Sequence, residues 1–111
     1  MSEKQVETRG KVCGLRGLVE YQEGSVVSRT ILDKDAGTVT LFAFDASEGL
    51  SEHIAPYDAL VVDIEGDVEI RIVEKMNLLK EGDMMIMPAN KPHALKALTR
   101  FKMMLVMIRA G

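Results

Sequence analysis

Short runs in which apolar and polar residues alternate dominate the chain from about residue 25 onward. Alternation with a period of two is typical of half-buried strands, because successive side chains of a strand point to opposite faces. No window sustains an apolar stripe with the helical period over a useful length. The pattern therefore predicts an all-β protein, with strands over residues 18–21, 25–32, 38–44, 50–54, 59–64, 68–73, 84–87, 93–98 and 101–108.

Glycine-containing turns separate these runs at nearly regular intervals. They contain Gly24, Gly37, Gly49, Gly66 and Gly82. Glycine supplies the positive φ that many tight turns require. Each predicted strand is then short enough to belong to a barrel or a sandwich.

The composition is that of one globular domain. A chain of 111 residues, 47% of them hydrophobic, can bury a core without disulfides or a structural metal. No stretch approaches the roughly 20 apolar residues of a membrane span, and the first residues are too polar for a signal peptide. The single cysteine, Cys13, and eight methionines favour a reducing compartment, so we expect a cytoplasmic protein.

Nucleic acid is not expected as a partner, because the net charge is −3, the basic residues are scattered and tryptophan is absent. The predicted domain spans residues 1–111. Residues 1–17 are expected to form a tail that ends in an edge strand, and residues 18–109 to form the barrel. A short barrel with exposed terminal strands would commonly pair with a copy of itself, so we expect a homodimer.

The only two histidines, His53 and His93, lie in two segments that carry glycine and proline at similar places, residues 49–66 and residues 82–93. Together these segments resemble the two motifs of the cupin superfamily. The resemblance implies a single double-stranded β-helix, the cupin or jelly-roll barrel, with one end open for a ligand. It also implies that the N-terminal segment adds a strand to a neighbouring subunit.

The resemblance assigns His53 and His93 to metal-ligand positions. Metal-binding cupins usually carry a second histidine and a glutamate in the first motif, and this chain has Ala55 and Ala59 there. The second motif has Asn90 in place of a glycine, and asparagine tolerates the left-handed conformation of such a turn. The candidate cofactor is a divalent transition metal, namely iron, nickel, zinc, manganese or copper.

Two imidazoles need at least one further ligand, because catalytic zinc or iron sites generally have three from the protein. Asp63 shares the parity of Ala59 and would point into the barrel, where a lone carboxylate is costly. It would otherwise face solvent through a register irregularity or pair with a lysine or arginine. Glu52 and Asp58 are close in sequence but lie on the opposite parity or at the turn.

Two further candidates complete the predicted ligand-binding set of His53, Tyr57, Asp63, Met87 and His93. Methionine sulfurs such as that of Met87 suit a soft ion such as Cu(I), although clustered methionines more often fill a core. Tyr57 lies beside the turn and alternatively only covers the end of the barrel.

The site supports two hypotheses of function. The first is a small-molecule-binding protein that uses His53 and His93 as polar anchors in an apolar cavity. The second is a metal-dependent enzyme of dioxygenase or isomerase type, acting on a small organic acid or sugar derivative. A third ligating side chain beside both imidazoles would distinguish them. A purely structural barrel with a filled interior is the remaining alternative.

Overall fold

The computed structural model describes residues 8–109. Its one helical element is a 3₁₀ turn at Leu15–Leu18, and no helix in the described range has the length and apolarity to cross a membrane. The strands are β1 Val26–Lys34, β2 Gly37–Phe44, β3 Gly49–His53, β4 Asp58–Glu65, β5 Val68–Ile72, β6 Lys75–Leu79, β7 Met84–Met87, β8 His93–Ala97 and β9 Phe101–Ile108.

These strands form two antiparallel sheets. The five-stranded sheet has the order β1-β2-β9-β4-β7, and the four-stranded sheet has the order β3-β8-β5-β6. The alternation seen in the sequence gives each sheet an apolar inner face, and the two inner faces enclose a common core. The predicted all-β jelly-roll barrel is therefore confirmed.

Fully buried aromatic and aliphatic side chains fill this core. Phe44 and Phe101 are buried completely, with their ring centroids 5.3 Å apart. Val61, Ile70 and Met103 are also completely buried around them. Burial of such side chains provides the main free energy that holds the two sheets together.

A second apolar cluster lies on the outer face of the five-stranded sheet. There Leu41, Ala43 and Ile64 are covered by Leu18 and Val19. We call residues 14–21 the N-terminal strap, because this segment crosses the sheet without joining it. The strap therefore shields part of the outer face from water.

Two side chains of the sheet fix the strap by its carbonyl groups. The Nζ of Lys102 donates to the carbonyl of Arg16 at 2.7 Å, and Arg29 donates to the carbonyl of Leu18 at 2.9 Å. The strand predicted over 18–21 is wrong, because this segment is a 3₁₀ turn followed by irregular chain. The edge strand expected within 1–17 is absent from residues 8–17, and residues 1–7 lie outside the described range.

The connections define two ends of the barrel. At one end the loops 54–57 and 88–92 are joined by a hydrogen bond from the Asn90 amide to the Ala55 carbonyl, at 2.8 Å. We call this the histidine end, because His53 and His93 border these loops. At the far end lie the turns 66–67 and 80–83.

Candidate functional site

The two histidines meet at the histidine end. His53 is the last residue of β3 and His93 is the first residue of β8, and the two are partners in the strand register. Their ring centroids are 4.4 Å apart and the rings are steeply inclined, at 76°. The sequence motifs thus correspond to one local cluster.

A β-bulge brings His53 into this position. Leu50 pairs with Leu95, so regular pairing would set Glu52 opposite His93, but the register shifts and His53 takes that place. One extra residue in a strand reverses which side chains face inward. Glu52 instead pairs with Arg71 at 3.1 Å on the exposed surface.

The His53 ring is oriented by the backbone. Its Nδ1 lies 2.9 Å from the carbonyl oxygen of Ser51, so this nitrogen carries the proton and donates it. The Nε2 then presents a lone pair. A hydrogen bond from the other ring nitrogen, as here, commonly holds metal-ligating and catalytic imidazoles in place. His53 itself is exposed at the rim.

His93 is in the opposite situation, because its side chain is only 2% exposed and neither ring nitrogen has a partner among the described residues. Burial lowers the pKa of His93, and the neighbouring His53 lowers it further. The ring is therefore neutral at pH 7, with one donor and one acceptor unused. Buried polar groups in native proteins are nearly always hydrogen-bonded, to protein, water or a ligand.

The inner surface at this end is apolar. Ile72 pairs with His93 in the register, and on the opposite sheet Ala59 pairs with both Met87 and Met107. Ala59 and Met87 are almost completely buried. Met87 is thus at the same end of the barrel as the imidazoles.

Asp63 is far from the histidines. It lies four residues beyond Ala59 along β4, which corresponds to about 13 Å of strand. Its side chain is 1% exposed and both carboxyl oxygens lack partners in the described chain. Burial raises its pKa to about 7, and repulsion from nearby carboxylates adds to the rise. Asp63 is therefore unable to serve as the third ligand of the histidine pair.

Tyr57 and Asp58 also point away from the imidazoles. Tyr57 lines a groove on the outer face together with Leu60 and Ile86, and the Arg109 guanidinium lies 6.0 Å from its ring centroid. Asp58 accepts a hydrogen bond from the Ala89 amide at 2.8 Å and so ties two loops together. Both residues shape the end of the barrel from outside.

The donor set of the site is therefore two imidazoles. Within residues 8–109, no group of three or more histidine, cysteine, aspartate or glutamate side chains is arranged to hold a metal ion. The carbonyl of Ser51, which orients His53, was not among the predicted site groups. A main-chain acceptor leaves no mark in the sequence, so only the bulge geometry reveals it.

No family model matches the chain, and no curated protein matches it. Solved structures do. A conserved protein of unknown function from Streptococcus pyogenes is 32% identical over 100% of this chain and 97% of its own, with a TM-score of 0.90. A cupin superfamily protein from Desulfitobacterium hafniense is 26% identical over 99% of this chain and 100% of its own, with a TM-score of 0.87.

A cupin 2 conserved barrel domain protein from Leptotrichia buccalis is 36% identical over 85% of this chain, with a TM-score of 0.82, and the match covers 46% of that longer chain. The first two matches run over nearly the whole of both chains, so the likeness covers a complete barrel. With the sheet order and the paired histidines already described, these likenesses place the chain in the cupin superfamily.

Proposed function

We propose that the histidine end binds a small molecule, with His53 and His93 as its polar anchors. The observation that carries this proposal is the unpartnered imidazole of His93, which is almost completely buried. Such a group loses its hydration on folding and regains hydrogen bonds only from water or a ligand. A ligand polar group at this point would restore them.

The chemistry of the site describes the ligand in outline. The Nε2 of His53 accepts a hydrogen bond, while neutral His93 offers one donor and one acceptor. The inner faces of the two sheets at this end are apolar and carry Ile72, Ala59 and Met87. A small molecule with an apolar body and a hydroxyl or carboxyl group fits this combination.

Binding can be tested by calorimetry with a panel of small organic acids and sugar derivatives, in the presence of EDTA. We expect at least one compound to bind, and to bind at least tenfold more weakly to His53→Ala and His93→Ala. Glu52→Ala is the matched control, because Glu52 adjoins His53 but faces the outer surface. Unchanged affinity in both histidine variants would refute the role of the pair.

A bound divalent metal is the second candidate, favoured by the spacing of the rings. Two imidazoles that hold one ion at about 2.1 Å would have ring centres about 5.2 Å apart at the tetrahedral angle of zinc and about 4.5 Å apart at the right angle of an octahedral site. The observed 4.4 Å fits the second arrangement, and the Ser51 contact leaves the Nε2 of His53 free. His53 and His93 would hold the ion, which would supply Lewis acidity toward a substrate oxygen.

The metal proposal has its own readout. Elemental analysis after incubation with iron, nickel, zinc, copper or manganese should find about one ion per chain, and His53→Ala should lose it. If no ion is retained under any of these conditions, the metal proposal is refuted and the metal-free binding site is the function that remains. Full occupancy in both histidine variants contradicts a site at this pair.

A further inference from the structure

Asp63 is a buried acid for which the proposed binding site has no use. Its register partner in β9 is Met103, on the inner face, and its side chain is 1% exposed. Neither carboxyl oxygen has a hydrogen-bond partner in the described chain. An unpaired charge at such a position is costly, so the folded protein favours the neutral acid.

Other acids surround Asp63 at the far end of the barrel. Glu65 and Asp67 approach it from the end of β4 and the β4–β5 turn, and Glu81 and Asp83 approach it from the β6–β7 turn. Each of these carboxylates disfavours the ionised form of Asp63. Burial is the largest single cause of its raised pKa.

The nearby cations have other partners. Arg16 lies 3.0 Å from Glu81 and 3.5 Å from Glu65, and Lys102 donates to the Arg16 carbonyl. Arg100 pairs with Asp45 at 3.0 Å. Tyr21 donates its hydroxyl proton to Glu65, and burial together with Glu65 raises the pKa of that phenol, so it remains neutral.

The backbone of Asp63 holds the β6–β7 turn in place. Its amide donates to the Asp83 carbonyl at 2.8 Å, and the Gly82 amide donates to the Asp63 carbonyl at 2.9 Å. Arg16 of the N-terminal strap then bonds to Glu81 of the same turn. Asp63, the turn and the strap are thus linked in series.

We infer that Asp63 is a pH-sensitive latch, which holds the β6–β7 turn and the N-terminal strap closed while it is protonated and loosens both when it ionises. Ionisation places an unpaired negative charge inside the wall, beside the acids of the turn. Withdrawal of Glu81 and Asp83, with entry of water, relieves that charge. The turn would move first, because it carries two of the repelling groups.

Loosening has a defined consequence for the surface. The strap is the cover of Leu41, Ala43 and Ile64 on the outer face. Its release would expose these side chains, which are almost completely shielded in the closed form. The latch therefore couples pH to the exposure of an apolar face that is remote from the histidines.

Hydrogen exchange with mass spectrometry tests the latch on the full chain at pH 5.5 and pH 8.5, with rates corrected for intrinsic chemical exchange. In peptides that cover residues 80–83 and 14–21, the protection factors should be at least tenfold lower at the higher pH. The variant Asp63→Asn should keep its protection at both values. Asp33→Asn, a change at an exposed position of β1, should behave as the unaltered protein.

Carboxyl carbon NMR of the unaltered protein provides an independent measurement, and it decides the matter if Asp63→Asn does not fold. A midpoint near pH 7 for Asp63, with Gly82 amide shifts that follow it, supports the latch. A midpoint below pH 5 overturns it. Equal loosening in the unaltered protein and in Asp63→Asn also overturns it.

Discussion

Replacing Asp63 by asparagine should stabilise the protein at neutral and alkaline pH. The pKa of the carboxyl rises from its ordinary 3.8 to about 7 in the folded protein. Between these values the unfolded chain releases the proton while the folded chain retains it. Stability is therefore fully present below about pH 4 and is lost as the pH rises toward 7.

The size of the effect follows from this rise of about three pH units. At about 1.36 kcal/mol per unit, ionisation costs the folded state about 4 kcal/mol above pH 7. Asparagine has the same shape and no charge, so Asp63→Asn should avoid that loss. The gain over the unaltered protein should be less than about 1 kcal/mol at pH 4 and about 4 kcal/mol at pH 8.

Urea denaturation at four values from pH 4 to pH 8 measures this difference directly. The decisive feature is its growth with pH, because packing changes caused by the substitution would be the same at every pH. Asp33→Asn serves as the control for loss of one exposed negative charge. A difference between Asp63→Asn and the unaltered protein that is independent of pH would refute the assignment of a raised pKa to Asp63.

Gly66→Ala should destabilise the protein by more than Gly82→Ala, as measured by urea unfolding. Both glycines have φ near 90°, a conformation that destabilises alanine by roughly 1–2 kcal/mol. Of the two, only Gly66 has a backbone carbonyl, that of Arg100, where the added Cβ would lie. Equal losses would show that the clash is relieved without cost. Asp45→Asn should lower the melting temperature at pH 7, and this difference should shrink as the pH falls below about 4, because the Gly24 amide first, and then Arg100, lower the Asp45 pKa. A melting difference that is the same at pH 7 and in the acid range would contradict this reasoning. The homodimer stays a prediction, and light scattering at several concentrations should find two chains per particle; a monomer at all concentrations would refute it.

The fold was largely predictable because local patterns determine it. Short apolar-rich runs over 38–44, 59–64 and 101–108, each bounded by turn residues, predict β2, β4 and β9 to within one residue. The strand β6, Lys75–Leu79, was missed because this short edge strand pairs with β5 alone and buries only Leu79, so it has no clear pattern of a buried face. The error at 18–21 has a tertiary cause, because cover of the outer face, rather than strand pairing, satisfies Leu18 and Val19.

The candidate site was less predictable, because it depends on distances between elements. The pairing of His53 with His93 was expected from their motifs, and their ring centroids do lie close together. The length of β4 places Asp63 at the far end, and the path of the loop 54–57 directs Tyr57 outward. No local sequence pattern indicates either of these placements. Asp63 and Tyr57 therefore lie away from the histidine pair, and contact of Met87 with a ligand stays a prediction.

The place of β9 in the sheet order bears on how the chain is made. This strand, Phe101–Ile108, is the last strand within residues 8–109, yet it lies between β2 and β4 and pairs with both along its length. During synthesis, the edges of β2 and β4 that pair with β9 therefore stay unpaired until residue 108 has left the ribosome. Closure of the five-stranded sheet is then a late, long-range event, of the kind that makes folding slow and exposes strands to aggregation.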